Sequence, residues 1–237
     1  MERVDWDERA DTYDGVFEAD PVYLRALRVI AGEVPPLGSP SVLDLGCGTG
    51  AVTAAVLQRA PGARIVAVDP APRMRDVSRR RFSSDERVTV VPGSGTALPA
   101  GEGEFDFVVS NLALHHVPRV EKQSCALEIA RVLKTGGKLV YGDQFTDVEA
   151  DVRDPRRARD LISRTVGWAL YALDHGGYEY MLGLLRALPL FIAEEGEYLE
   201  TIVRWGELLA GAGFAGLEVR EVPPSRFGMK VLVATLP

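Results

Sequence analysis

The residues best suited to proton transfer are two adjacent histidines, His115 and His116, in a chain with three histidines. An imidazole titrates near neutral pH, so either ring could deprotonate a hydroxyl or an amine. Because adjacent residues rarely face the same way, we expect at most one ring to reach a substrate, and we favour His116. The structural alternative is that the rings cap a loop or pack against a bound cofactor.

Later residues offer further candidates for substrate contact. His175 ends a helical pattern near Tyr171 and Tyr178, and this group could line an acceptor pocket. Alternatively, His175 lies at a helix C-terminus, where the dipole favours a cation. Asp143 follows a strand and could orient an acceptor or cap a helix. We find no clustered spacing of His, Cys and carboxylates, and therefore predict no metal site.

A glycine-rich turn, Gly46-Cys47-Gly48-Thr49-Gly50, joins an apolar strand to a helical segment. Glycines permit unusual φ/ψ angles and let the backbone approach a ligand closely. The first N–H groups of the following helix point at that ligand. Asp69 follows the second strand, where a carboxylate can accept hydrogen bonds from both hydroxyls of a ribose. The sequence therefore predicts a site for a nucleoside-containing cofactor.

Two cofactor classes fit this turn. Gly46, Gly48 and Ala51 satisfy the loose dinucleotide pattern G-x-G-x-x-G/A, which is a weak signal by itself. Asp44 argues against a dinucleotide, because an acid two residues before the first glycine is unfavourable beside a pyrophosphate. It suits a ligand with an ammonium group and no phosphate, as in the methionine end of S-adenosylmethionine. The third alternative is a tight turn that binds no ligand.

The elements that position these residues alternate between strand and helix from Ser41 to Asp143. The apolar runs predict strands at 41–45, 64–68, 87–91, 105–110 and 138–142, with helices at 51–59, 70–81 and 120–133. Strands separated by helix-length segments imply right-handed crossovers and a parallel sheet. The strands do not alternate between apolar and polar residues, as expected when helices cover both faces.

The pattern changes after Asp143. We predict helices at 154–175, at 178–188 with Pro189 as its end, and at 197–210. The segment 146–200 shows no strand pattern, and we interpret it as a helical lid inserted between the fifth and sixth strands. Two final runs, 216–222 and 229–236, indicate an antiparallel strand pair.

Composition limits the class of protein. A length of 237 residues suits one α/β domain with an insertion, and 46% hydrophobic residues can form a packed core. The net charge of −7 argues against nucleic-acid binding. The acidic N-terminus does not resemble a signal peptide, and we see no apolar run long enough to span a bilayer. We therefore expect a cytoplasmic protein with no membrane partner, either a monomer or a homodimer.

Taken with motifs further along the chain, these features resemble the class I S-adenosylmethionine-dependent methyltransferases. The similarity is greatest to the small-molecule branch, which includes quinone-biosynthesis and natural-product methyltransferases. The matching segments are residues 42–50, 68–69, 97–99, 105–111, 133–139 and 208–214.

The resemblance implies a Rossmann-like α/β fold. Its seven-stranded sheet would be mostly parallel with the last strand antiparallel, and helices would cover both faces. We expect a single domain over 1–237. Its parts would be N-terminal helices closing the cofactor site (1–32), the cofactor-binding core (41–143), the helical lid (146–200) and a return to the sheet (201–237).

The resemblance also implies roles for site residues. The backbone of the turn would lie beside the methionine moiety. Asp44, behind the turn, would hold the ammonium directly or through water, and Asp69 would hold the ribose. The other cofactor contacts would come from the turn itself and from residues near the adenine and methionine ends: Gly46, Cys47, Gly48, Pro70, Met74, Asn111 and Leu112. Tyr13 would help to close the pocket, or it could belong to a surface helix.

One motif departs from the family pattern. The turn after the third strand often reads Gly-Asp-Ala in the family, and its acid holds the adenine amino group. Here the turn reads Gly93-Ser94-Gly95-Thr96. A serine hydroxyl can accept the same hydrogen bond without the charge. We expect Ser94 and the backbone of Gly95 to hold the adenine, with Thr96 beside them.

The predicted function is in-line SN2 transfer of the methyl group of S-adenosylmethionine to a small acceptor. The lid suggests an apolar or aromatic acceptor, because it contains Trp168, Tyr171, Tyr178, Tyr180, Met181, Leu184 and Phe191. Three alternatives stay open: cyclisation, decarboxylation or rearrangement on the same fold, a non-catalytic binding subunit, and a nicotinamide dehydrogenase.

Overall fold

A single sheet of seven strands forms the centre of the molecule. The computed structural model describes residues 7, 10–17 and 19–237. The sheet order is β3-β2-β1-β4-β5-β7-β6. The strands are β1 (Ser41–Leu45), β2 (Arg64–Asp69), β3 (Val88–Pro92), β4 (Phe105–Asn111), β5 (Leu133–Gln144), β6 (Ala215–Glu221) and β7 (Met229–Thr235). Neighbours among β1–β5 pair in parallel, and β7 is antiparallel to both β5 and β6, which confirms the predicted fold.

Helices connect the strands and cover both faces of the sheet. In the described part of the chain they are α1 (Tyr13–Phe17), α2 (Pro21–Gly32), α3 (Ala51–Arg59), α4 (Pro72–Arg81), α5 (Lys122–Val132), α6 (Pro155–Asp174), α7 (Tyr178–Ala193) and α8 (Ile202–Gly211). The N-terminal segment predicted to close the cofactor site includes Trp6, Glu8 and Arg9, which lie outside the described residues.

Three predicted boundaries were wrong. α7 continues past Pro189 to Ala193, although a proline inside a helix removes one hydrogen bond and crowds the preceding turn. α8 begins only at Ile202, where the side chain of Thr201 caps it by accepting a hydrogen bond from the backbone N–H of Arg204. β5 begins at Leu133, so that Gly136 and Gly137 lie within the strand.

The order of the strands creates a crevice between β1 and β4. α3 follows β1 and packs into the apolar cluster on one face of the sheet, which includes Val52 and Val56. α5 follows β4 and packs into the opposite cluster, which includes Ala126 and Ile129. Where successive crossovers leave to opposite faces, the carboxyl ends of the strands border an open crevice that binds ligands. The glycine turn and His115 both follow strands at this point.

The 146–200 insertion is helical, as predicted, but it packs into the main core. Trp168 of α6 is buried, and its ring stacks on Phe227 with 6.3 Å between centroids. Its indole N–H donates to the carboxylate of Asp20, which also caps α2. The insertion is therefore continuous with the hydrophobic core on that face.

The sequence predicts no segment that spans a bilayer, and the helices of the described residues bear on this prediction. No helix among them is long and apolar enough to cross a membrane.

Candidate active site

The first cavity, of about 370 Å³, lies at the carboxyl ends of β1, β2 and β4. Its wall contains every residue predicted to bind the cofactor except Asp44. These are Tyr13, Gly46, Cys47, Gly48, Asp69, Pro70, Met74, Ser94, Gly95, Thr96, Asn111 and Leu112. The fold thus brings segments from five parts of the chain to one cavity.

The glycine turn needs glycine for two reasons. Gly46 has a φ of 72°, a conformation that side chains rarely adopt. A Cβ added there would lie 2.4 Å from the Cβ of Ala113 in the loop after β4. The backbone N–H groups of Gly46 and Cys47 both donate to the carbonyl of Val68, at 2.8 and 3.0 Å. These bonds fix the turn against β2 and leave its backbone as the cavity wall.

Asp44 lies behind this turn, fully buried. Its Oδ2 accepts hydrogen bonds from the backbone N–H of Thr53 (3.0 Å) and from the Thr53 hydroxyl (2.6 Å). Its Oδ1 has no hydrogen-bond partner within the part of the chain that is described. Burial raises the pKa of Asp44 to about 7, and the charge of Asp69 adds to the increase. An unpartnered buried carboxylate oxygen is suited to a ligand that brings a positive charge.

Asp69 ends β2 and is fixed by the backbone around it. Its Oδ2 accepts from the N–H of Gly48 at 2.9 Å, and its Oδ1 accepts from the N–H of Ala71 at 2.8 Å. Burial raises the pKa of this carboxyl, while the two backbone hydrogen bonds oppose the increase. Each oxygen retains acceptor capacity toward the cavity, so that a pair of hydroxyl groups could bind here.

The turn after β3 forms another part of the wall. A Cβ added to Gly95 would lie 2.9 Å from the sulfur of Cys125, because the turn packs closely on α5. The hydroxyls of Ser94 and Thr96 lie 3.4 Å apart in this wall. The turn offers hydroxyl and backbone groups where the family often has a carboxylate.

A second cavity, of about 250 Å³, lies beneath the 146–200 insertion. One part of its wall is aromatic, formed by Tyr13, Phe17, Trp168, Tyr180 and Phe191, and one end is polar, formed by His115, His116, Gln144 and Glu197. Tyr13, Leu112 and His116 line both cavities. Leu112 has a φ of 50°, which is unusual for a non-glycine residue and occurs most often at functional sites.

A cluster of histidines and carboxylates forms the polar end. His115 Nδ1 lies 2.7 Å from Asp143 Oδ1, and its Nε2 lies 3.1 Å from Glu197 Oε2. His116 Nδ1 lies 3.3 Å from the same oxygen of Glu197 and 3.1 Å from the carbonyl oxygen of Gly196. The hydroxyl of Tyr141 donates to the other oxygen of Asp143. We name His115, His116 and Glu197 the junction cluster.

The two histidines differ in charge because of their neighbours. Burial lowers the pKa of His115, but the carboxylates of Asp143 and Glu197 outweigh it and raise that pKa to about 10. Burial and the adjacent His115 lower the pKa of His116 to about 4. The pKa of Glu197 is lowered against its burial by the two histidines. Near neutral pH, His115 is therefore the cation and His116 is neutral.

Glu197 reaches this position through the segment 194–200 between α7 and α8. The backbone N–H of Tyr198 donates to the carbonyl of His115 at 2.7 Å. Arg119 binds Glu194 at one end of the segment and Glu200 at the other, each at 2.6 Å. The segment is thus held at both ends against the loop that carries the histidines.

The residues predicted to contact the acceptor lie elsewhere, apart from His116. Asp143 is fully buried behind His115 and lines neither cavity. Tyr171, His175 and Tyr178 also line neither, because they lie on the outer parts of α6 and α7. His175 is exposed and bonds through Nδ1 to the carbonyl of Tyr171, as expected for the helix-end alternative. The structure therefore does not place these four residues in the wall of either cavity, and their contact with an acceptor stays a prediction.

Sequence reasoning missed Glu197, Gln144 and Phe17. Glu197 was assigned to the start of a helix, and its histidine partners lie about 80 residues earlier in the chain. No local spacing could have indicated that contact. The ligand atoms of the junction cluster lie within 4.8 Å of one another and could hold a metal ion. The prediction of no metal site overlooked this group, because Glu197 is far from the two histidines in the sequence.

Comparison with known proteins gives one family and several relatives. Residues 42–137 match the model of the methyltransferase domain. The demethylmenaquinone methyltransferase of Clavibacter sepedonicus is 35% identical over 192 residues, which cover 80% of this chain and 71% of that protein.

Solved structures show the same fold. A methyltransferase from Haloferax volcanii, in complex with the Trm112 activator, superposes with a TM-score of 0.71 at 17% identity over all of both chains. A SAM-dependent methyltransferase from Thermotoga maritima superposes with a TM-score of 0.64 at 18% identity over 98% of both chains.

Proposed function

This chain belongs to the class I S-adenosylmethionine-dependent methyltransferases, and on that premise we propose that it methylates a small, largely aromatic acceptor in the second cavity. One observation carries the proposal. The two cavities share Tyr13, Leu112 and His116, so that ligands in the two cavities would meet at these residues.

The residues of the first cavity fit the cofactor. Asp44 Oδ1 and the side-chain amide of Asn111 are buried polar groups without partners among the described residues, as expected where a ligand supplies them. They suit the ammonium and carboxylate of a methionine moiety, while Asp69 suits the ribose hydroxyls. S-adenosylmethionine, when bound, supplies a methyl group on a sulfonium that needs no further activation.

The walls of the second cavity support an aromatic acceptor. Phe17, Trp168, Tyr180 and Phe191 present ring faces and edges, which favour a flat apolar molecule. The cavity volume of about 250 Å³ suits one or two fused rings. The Clavibacter relative is named for a quinone-type substrate, which agrees with such an acceptor.

The chain itself contributes alignment, exclusion of water and hydrogen bonding at the reacting end. The junction cluster lies where the reacting group of the acceptor would meet the methyl donor. His116 and Glu197 are both unprotonated near neutral pH, so together they can accept the hydrogen bond of an acceptor hydroxyl. Asp143 and Tyr141 hold His115 behind them, and they act as positioning residues.

Activity assays test this function directly. The protein is incubated with S-adenosylmethionine and a panel of hydroxylated naphthalenes and quinols, and S-adenosylhomocysteine is measured. We expect acceptor-dependent formation of S-adenosylhomocysteine that falls at least tenfold in His116→Ala. The matched control, His175→Ala, removes a histidine outside the site and should keep wild-type turnover.

The assay also separates the alternatives. If the cofactor binds but a product carries no new methyl group, the fold performs a different reaction. If no acceptor in the panel gives turnover and S-adenosylmethionine does not bind in calorimetry, the proposal is wrong. Normal turnover in both His115→Ala and His116→Ala would exclude either histidine as the proton acceptor.

A further inference from the structure

The junction cluster brings two imidazole nitrogens close to one carboxylate oxygen. One oxygen of Glu197, Oε2, lies 3.1 Å from Nε2 of His115 and 3.3 Å from Nδ1 of His116. When two ligand atoms bind one transition-metal ion at about 2.0–2.2 Å, they lie about 3.0–3.4 Å apart at tetrahedral or octahedral angles. The two distances therefore match those between ligands of one ion.

Glu197 Oε2 is also a buried carboxylate oxygen that depends on neighbouring positive charge. Its side chain is only 5% exposed, and no described residue satisfies this oxygen with a well-directed hydrogen bond. The imidazolium of His115 offsets part of the cost of burying this charge, and a metal cation bound to the oxygen would take its place. This second observation is independent of the spacing between the ligand atoms.

The environment of His115 supports ligation by its Nε2. Its Nδ1 faces Asp143 at 2.7 Å, and Asp143 is held in turn by the hydroxyl of Tyr141 and the backbone N–H of Gln144. Histidines that bind metals almost always donate their other N–H to a carboxylate or carbonyl, which fixes the tautomer and the ring orientation. His115 has this arrangement within the core, and an ion bound at Nε2 would displace the proton that this nitrogen carries in the imidazolium form.

We propose that His115, His116 and Glu197 bind one divalent transition-metal ion of the Zn²⁺ or Fe²⁺ class at the polar end of the acceptor cavity. Two imidazoles and one carboxylate match the preferences of these ions, and three ligands leave positions open. The open positions face the acceptor cavity, where an acceptor oxygen would coordinate. The inference rests on the proposed function only for the identity of that oxygen.

The ion would change how the acceptor is held. In its absence, His116 and Glu197 hydrogen-bond to the acceptor hydroxyl. With the ion bound, the hydroxyl coordinates it directly, which orients the oxygen toward the first cavity and lowers the pKa of the hydroxyl. The ion thus selects acceptors that carry a hydroxyl or carbonyl oxygen at one end of an aromatic ring system.

Metal binding is measured on the full chain after treatment with a chelator. Zn²⁺ is titrated by calorimetry, and Co²⁺ is added to follow its visible absorption bands. We expect one equivalent of each ion to bind, with affinity reduced at least a hundredfold in Glu197→Gln and in His116→Ala. Asp143→Asn should weaken binding by about 10- to 100-fold, since it disturbs only the orientation of His115.

His175→Ala is the matched control, because it removes the histidine outside the cluster and should bind metal as the wild type does. Circular dichroism establishes that each variant is folded, and His115→Ala is a further variant if Glu197→Gln does not fold. The inference is overturned if the folded wild-type protein binds no ion saturably. It is equally overturned if Glu197→Gln and His116→Ala bind as tightly as wild type.

Methyl transfer by the metal-free protein separates this inference from the proposed function. If the stripped protein binds no ion and still forms S-adenosylhomocysteine at the full rate, the metal site is wrong and the proposed function stands. If the ion binds but no acceptor is methylated, the site stands and the proposed function fails.

Discussion

At the scale of the residue, Asp69 has a structural role and a proposed binding role. Its oxygens accept from Gly48 and Ala71, and the same carboxylate faces the cavity. We expect Asp69→Ala to weaken S-adenosylhomocysteine binding by about 10- to 1000-fold, because hydrogen bonds to charged groups contribute about 1.5–3 kcal/mol each. Calorimetry measures the change. Asp85→Ala, before β3 at the other edge of the sheet, is the control, and unchanged affinity in Asp69→Ala would remove its assignment to the ribose.

If Asp44 holds the cofactor ammonium, directly or through water, cofactor binding should depend on pH. Burial raises its pKa to about 7, so the carboxyl is neutral below that pH and charged above it. A ligand ammonium binds the charged form, so affinity should fall as the pH decreases below 7, by up to about tenfold per unit. Above pH 7, the ionisation of Asp44 should cause little further change in cofactor affinity. Dissociation constants measured between pH 5.5 and 7.5 test this prediction, and a wild-type profile in Asp44→Asn would contradict it.

At the scale of the element, the turn between β1 and α3 shows what a local conformation requires. Gly46 and Gly38 have similar φ values, 72° and 88°, but an added Cβ meets Ala113 only at Gly46. Gly38→Ala should lower the free energy of unfolding by about 1–2 kcal/mol, from backbone strain alone. Gly46→Ala should lower it further and abolish cofactor binding. Urea denaturation and calorimetry distinguish the two variants, and equal effects would mean that the close approach to Ala113 is unimportant.

At the same scale, the 146–200 insertion contributes to the hydrophobic core. Trp168 is fully buried between Tyr180 and Phe227, so Trp168→Ala should destabilise the protein by about 3–5 kcal/mol. Leu170→Ala on the same helix removes a side chain that is 58% exposed and should change stability by about 0.5 kcal/mol or less. Denaturant unfolding measures both. A small effect of Trp168→Ala would indicate that α6 is a detachable lid, as the sequence suggested.

At the scale of the whole molecule, the first cavity joins segments from β1, β2, β3, β4 and the N-terminal region. A ligand that binds only the folded chain stabilises all of them together. S-adenosylhomocysteine at a hundred times its dissociation constant should add about 2.7 kcal/mol and raise Tm by about 5–10 °C. Thermal unfolding measures the shift, and Asp69→Ala should show a smaller one. A comparable shift with NAD would favour the dehydrogenase alternative.

Shared walls also couple the two ligands. Tyr13, Leu112 and His116 line both cavities, so a cofactor in the first cavity would form part of the wall against which the proposed acceptor packs. Each ligand should then increase the affinity for the other by the same factor.

The sequence by itself determined the features that depend on neighbouring residues. Glycines in the turn 46–50 are required by backbone angles, and the acids at positions 44 and 69 have fixed places at the ends of strands. Short, continuously apolar segments take turns with amphipathic segments along the chain. This order predicted the sheet, because a strand buried on both faces and an amphipathic helix have different patterns of apolar residues. The residues that line the first cavity could therefore be predicted almost completely before the fold was known.

Only the tertiary structure decided which distant residues meet. Glu197 reaches His115 and His116 because the segment 194–200 is held by Arg119 and by backbone bonds, and none of these contacts has a local signature. Trp168, rather than Tyr171 or His175, faces the second cavity because the rotation of α6 is set by its packing on α2 and Phe227. Helical periodicity shows that a helix has an apolar face, but the partner of that face depends on the whole chain.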